Sequence, residues 1–193
     1  MGIFGRFFGG PKKDSNFNPS ADLMPEDQFW DLLQTSASEA GGHIDHQEEE
    51  LTLLLRRLPI QELITFDNRY RQLRGLAYTW PLWGAAYIIN GGCSDDGFCY
   101  FRDWLIAQGP DVYQQALADP ESLADLDLDP DEEELEAEGM AYVAQSVFEE
   151  RTGQELPAEF AENNEIGGIE WQEEGDDLAR MFPRLWKKYG ERG

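Results

Sequence analysis

The sequence predicts an all-α fold: a single compact bundle of about six to eight helices around a buried central helix near residues 81–90. Three observations carry that prediction. Apolar residues recur at helical spacing through most of the chain. Proline, serine and paired glycines punctuate it at helix-length intervals. No alternating apolar–polar run exceeds four residues, so no strand is expected. With 193 residues, 41% of them hydrophobic, the chain is long enough for one full core.

The first helix is expected from Pro25. Proline suits the first helical position, and Glu26 and Asp27 complement the positive end of the helix dipole. Phe29, Trp30, Leu33 and Ala37 give it an apolar face, and Gly41 and Gly42 stop it. A second helix runs from Asp45 with Leu51, Leu54, Leu55 and Leu58. Pro59 closes it and opens a third, which carries Leu63, Phe66, Tyr70, Leu73 and Ala77. The segment from Pro81 to Asn90 is apolar on nearly all sides, the mark of a buried helix. A fifth helix begins at Ser94 and stops at Gln108, before Gly109 and Pro110. Short helices follow at 111–118 and 121–126. Asp129 and Pro130 read as the cap and first turn of a helix reaching Thr152, with Leu135, Tyr142, Val143 and Phe148 as its packing face. Residues 154–175 read as irregular, a last helix covers Asp176 to Met181, and Pro183 starts a final turn through Tyr189. Trp30, Leu55, Leu63, Ala86, Ile89, Phe101 and Leu105 are the expected core. Residues 23–190 form the expected domain, behind a flexible arm of Gly, Phe and Lys over residues 1–22.

Charge narrows the function classes. The net charge is −24, from 39 acidic and 15 basic residues. So acidic a chain is a poor partner for phosphate backbones, and no nucleic acid is expected. The acid is concentrated in residues 121–177, with 21 acidic residues against Arg151 alone. Residues 178–193 carry five basic residues and one acidic, so the basic end is expected to lie near the acidic middle. Two cysteines, Cys93 and Cys99, exclude a disulfide-rich scaffold. No apolar run approaches a membrane span. Ile3, Phe4, Phe7 and Phe8 would share a helix face beside Arg6, Lys12 and Lys13, which leaves membrane contact through residues 1–13 as a minor reading. A cytoplasmic location is expected.

Residues 91–109, GGCSDDGFCYFRDWLIAQG, stand out. Two glycines end one helix and Ser94 caps the next. Asp95 and Asp96 fall in its first turn, where each carboxylate is worth about 0.3–1 kcal/mol. Gly97 lets another group approach closely. A helix start already capped by Ser94 does not need two adjacent carboxylates as well. Aromatic residues also concentrate nearby, and polar groups converging beside an aromatic wall are the usual makings of a ligand site. The candidate binding residues are Ser94, Asp95, Asp96, Tyr100 and Arg102, with Trp80, Trp83 and Trp104 as the wall.

The run LWGAAYIINGGCSDDGFCYFRDWLIAQG, with FWDLL at 29–33, PESLADL at 120–126 and ERTG at 150–153, resembles the DUF4240 family of bacterial proteins. Asp177–Leu185 resembles that family's C-terminal part, so the resemblance spans residues 24–186. It implies a single, mainly helical domain and carries no catalytic assignment.

The residues offer little to catalysis. His43 and His46 lie far along the chain from Cys93 and Ser94, and Asp95 and Asp96 would raise a Cys93 pKa rather than lower it. The calcium-loop and HExxH spacings are absent, so neither a metal nor a cofactor is expected. Neighbouring carboxylates on a helix diverge by about 100° and do not naturally pair. The expected function is therefore a noncatalytic binding or regulatory module that captures a basic protein, by analogy with small acidic immunity proteins. The alternative is a small hydrolase-like enzyme using Asp95, Asp96 and Arg102 beside an aromatic pocket.

Overall fold

A computed structural model describes residues 13–128, 135–172 and 176–190. Among them the chain is all-α, with nine α-helices, two 3-10 segments and no strand beyond one isolated bridge between Thr79 and Gly167. Helix α1 (Glu26–Glu39) forms a hairpin with α2 (Ile44–Leu55), and α3 (Ile60–Leu76) follows and packs against α1. Helix α4 (Trp80–Asn90) follows an N-cap in which the Thr79 hydroxyl accepts from the Leu82 N–H. It ends where Gly91 takes the left-handed conformation, φ 68°, a position suited to glycine. Helix α5 (Asp95–Ala107) then lies against α3 and α4, and α6 (Pro110–Ala118) follows.

The seven core residues expected from the sequence are all buried, from Trp30 at 6% exposure to Leu55, Leu63, Ala86, Phe101 and Leu105 at 0%. The apolar segment at 81–90 is largely enclosed as anticipated: Leu82, Gly84, Ala85, Ala86, Ile88 and Ile89 are buried. Gly84 is a notch. A Cβ there would stand 2.8 Å from Phe182 and 3.1 Å from Leu178, so its absence lets α8 (Asp177–Met181) and α9 (Pro183–Tyr189) settle onto α4.

One helix departs from expectation. The proposed cap and acidic turn at 129–134 lie outside the described residues. From Leu135 the chain is not helical until a 3-10 turn at Glu138–Tyr142 leads into α7 (Val143–Thr152). The cause is local. Ala137 sits at φ −145°, ψ 58°, and its N–H is donated to the Tyr100 carbonyl at 3.1 Å, which ties the strand-like stretch to α5. Leu135, Val143 and Phe148 are buried as predicted, but Tyr142, at the junction, is 53% exposed and is not part of the packing face.

The two charged ends meet. The Arg184 and Leu185 N–H groups donate to the Glu121 carboxylate at 3.0–3.1 Å, and Arg184 pairs with Asp125. Lys188 donates to the Ala124 carbonyl at 3.1 Å. Of the expected arm, residues 1–12, including the Ile3–Phe8 face, lie outside the described residues. Residues 14–20 lie along α3 and α7: Arg151 pairs with Asp14 at 2.6 Å, Phe17 packs edge-on against Phe148, and Asn18 exchanges hydrogen bonds with Gln61.

Candidate functional site

The start of α5 builds the site. The Ser94 hydroxyl accepts from the Gly97 N–H at 3.1 Å, the expected cap. With that donor satisfied, Asp95 and Asp96 remain exposed and make no hydrogen bond or ion pair among the described residues. They line a cavity of about 240 Å³ together with Trp83, Arg102, Glu162 and Asn163. Its remaining walls include Tyr78, Phe98 and Cys99.

The aromatic wall is real but already occupied. Trp83 is sandwiched, stacked on Trp80 at 5.4 Å on one side and on Phe98 at 5.1 Å on the other. Phe98 in turn lies 5.2 Å from the Arg102 guanidinium, which also stands 4.6 Å from the Tyr78 ring centroid. The run Trp80–Trp83–Phe98–Arg102–Tyr78 thus uses its ring faces on itself, and an incoming ligand meets ring edges rather than a cation-binding cage. The indole N–H of Trp83 is also spent, on the Cys93 carbonyl at 2.9 Å.

Of the eight sequence candidates, Asp95, Asp96, Arg102 and Trp83 converge on the cavity. Trp80 stands behind Trp83. Ser94 is consumed as the cap. Tyr100 turns away and donates to Glu138 at 3.2 Å, because its helix face meets the 135–138 stretch. Trp104, three turns along α5, is buried and lines a separate cleft with Gln47 and Leu135.

Beneath the cavity lies a polar network assembled from α3 and α5. Arg102 and Asp103, which fall off the Phe98–Phe101–Leu105 stripe, are nonetheless buried, Asp103 completely. Tyr70 donates to Asp103 Oδ1 at 3.1 Å, and Arg74 Nε stands 3.0 Å from the same oxygen without hydrogen-bond alignment. Burial pushes the Asp103 carboxyl up to about 7, against the pull of Arg74. Arg102 donates to the Arg74 carbonyl at 3.0 Å and the Cys99 sulfur at 3.2 Å. Arg102 Nε, Arg74 Nε and Asp103 Oδ2 are buried without hydrogen-bond partners.

That carboxyl has a measurable consequence. Its folded pKa lies above the ordinary value of 3.8, so the folded state holds a proton that the unfolded chain releases. The stability due to neutral Asp103 is complete below about pH 4 and is lost as the pH rises to about 7. The thermal midpoint of the wild type is expected to fall over that window more steeply than that of Asp103→Asn. Parallel pH profiles of the two proteins would contradict this.

The outer wall comes from a segment without periodicity. Residues 154–172 cross the domain as a strap. It is pinned where Gly167 exchanges hydrogen bonds with Tyr78 and Trp80, at 3.0 and 2.8 Å, and where the Trp171 indole donates to the Trp80 carbonyl at 3.0 Å. Asn163 lies against Gly75, where a Cβ would meet its backbone nitrogen at 3.2 Å. Glu162 Oε1 stands 4.0 Å from Nη1 of both Arg74 and Arg102. None of Glu162, Asn163 and Asn164 was expected at the site. The available signal was Gly75, an isolated glycine inside a helical pattern, which marks a close approach.

No group of three or more metal-ligating side chains is gathered among the described residues. No described helix is long and apolar enough to cross a membrane. No curated protein and no solved structure matches the chain. The family model described as "Protein of unknown function (DUF4240)" matches residues 24–150, which takes in α1–α5 and the whole Gly91–Gly109 motif but stops short of the strap and the C-terminal helices. The chain belongs to the DUF4240 family.

Proposed function

We propose that this protein is a noncatalytic binding or regulatory module of the bacterial cytoplasm that captures a basic protein. The observation that supports this best is the idle pair Asp95 and Asp96: exposed carboxylates at the mouth of a cavity, beside a helix start that Ser94 already caps. Most described arginines, in contrast, are committed to the chain's own acids, as in Arg56–Glu150, Arg71–Asp67 and Arg151–Asp14. The surplus acid steers an oppositely charged partner toward the surface.

The hydrolase-like alternative has less support. Burial, then Glu136, push the Cys93 thiol up to about 12, far from a thiolate nucleophile. Arg102 is held in place by stacking and by neutral acceptors.

The test is capture by immobilised wild type, Asp95→Asn and Asp96→Asn. Wild type should retain a basic protein at low salt and release it toward 1 M salt, where the screening length is about 3 Å. Each variant should bind more weakly while its thermal midpoint stays within about 4 °C of wild type. Capture indifferent to salt and to both substitutions would sink the reading. Salt-resistant turnover of an ester or phosphoester, lost in the same variants, would establish the alternative. A midpoint lowered by many degrees would reassign the carboxylates to holding the helix start.

A further inference from the structure

The inner end of the cavity poses a question that capture of a basic partner does not answer. Its floor is a cation. Arg102 is 5% exposed, lines the cavity, and has no hydrogen bond to any carboxylate. Its Nε is buried without a hydrogen-bond partner, whereas that of Arg74 beside it is ion-paired with Asp103 at 3.0 Å. A buried guanidinium is costly unless a hydrogen-bonded anion compensates it. Asp103 supplies part of that charge from below, through Arg74. From the cavity side, the only carboxylate within ion-pair reach of Arg102 among the described residues is Glu162, at 4.0 Å. The same oxygen stands 4.0 Å from Arg74.

That is the separation of a carboxylate near a two-arginine seat but not in it. Charged hydrogen bonds close to about 2.7–2.9 Å when the geometry permits. Glu162 is delivered by the strap, whose neighbours Asn163 and Asn164 are exposed. It lies beyond the stretch matched to the family, whereas Arg74, Asp95, Asp96 and Arg102 all lie within it.

We propose that Arg102 and Arg74 form a carboxylate-binding subsite, that Glu162 is its tethered occupant, and that the cavity takes a small zwitterion of the α-amino-acid class. The carboxylate of such a ligand displaces Glu162 and sits on the two guanidiniums. Its ammonium group faces Asp95 and Asp96 at the mouth. The cavity, about 240 Å³, has room for one molecule of that size. Bidentate recognition of a planar carboxylate is the contact for which guanidinium is suited. The ring edges presented by Trp83 and Phe98 bound the remainder. Glu162 is then a competitor built into the chain, and affinity is set by how readily the strap yields. This goes beyond capture of a basic protein, and the two succeed or fail separately, since capture does not require Glu162 to leave.

The experiment is a titration of the full chain with free amino acids, followed by the amide proton of Gly97 and the indole proton of Trp83 in nuclear magnetic resonance spectra. Each amino acid is compared with its decarboxylated amine and its N-acetyl derivative. An amino acid should shift both signals, and both control compounds should bind at least tenfold more weakly. Glu162→Gln keeps the size of a half-buried strap side chain and is expected to fold; it should tighten amino-acid binding about tenfold by removing the competitor. Arg102→Lys should abolish it, and Arg74→Lys, on the outer side of the pair, should weaken it if Arg102→Lys proves unstable. Amines that bind as well as amino acids, with Glu162→Gln weakening them, would overturn the proposal and make the cavity a simple cation site. No response of either signal to any amino acid would overturn it as well.

Discussion

Asp103→Ala is expected to lose about 3–5 kcal/mol of stability, because it strips one partner from a buried ion pair. Asp103 is fully enclosed, and its Oδ1 alone receives both the Tyr70 hydroxyl and the Arg74 guanidinium. Alanine leaves the Tyr70 phenol without its acceptor and Arg74 with only Glu162, at 4.0 Å. Asparagine is predicted to cost much less. The carboxyl, pushed up to about 7, is half neutral near physiological pH, so a neutral amide of equal size replaces a group that is only partly charged. Tyr70 can still donate to the amide oxygen. Urea unfolding of the three proteins checks this: alanine well below wild type, asparagine between. An alanine variant within 1 kcal/mol of wild type, given the about 5–15 kcal/mol typical of a whole domain, would show that water or a rearranged Arg74 replaces the carboxylate.

Gly84→Val should cost about 1–3 kcal/mol by overpacking. Valine recovers less helix propensity over glycine than alanine would, and too little to offset the collision. Its Cβ would begin 2.8 Å from Phe182, 3.1 Å from Leu178 and 3.2 Å from Trp171, none of which is free to retreat because each is buried. The expected result is a midpoint lower by several degrees and a C-terminal region that becomes sensitive to protease before the rest of the domain. Uniform destabilisation without early cleavage would mean that α4 itself shifts instead of releasing α8 and α9.

How much of this was legible in the sequence depended on range. Helix starts at Pro25, Ser94 and Pro183 were readable because capping and proline geometry act within three or four residues. The break at Ala137 was not, since it is imposed by the Tyr100 carbonyl of another helix. The candidate site divided along the same line. Asp95, Asp96, Arg102 and Trp83 share one helix–turn–helix and could be assembled locally. Glu162 could not, because a strap without periodicity is placed only by distant partners such as Gly75 and Thr79. Composition announced a concentration of aromatic rings but not that Trp83 is sandwiched on both faces, nor that Trp104 looks the other way. Asp103 was half-readable: Tyr70 and Arg74, four apart on α3, share a face, and only the packing of α3 on α5 names the carboxylate they hold.

The parallel indoles of Trp80 and Trp83 carry one more consequence. At 5.4 Å and 9° their excited states couple, and any in-plane skew of the two transition dipoles gives an exciton couplet in the circular dichroism spectrum. Trp171 touches the same pair edge-on, at 90° to Trp80, from the strap. Any event that lifts or reseats the strap therefore changes the optical environment of the couplet, and the molecule carries a built-in chromophore for following it without a label.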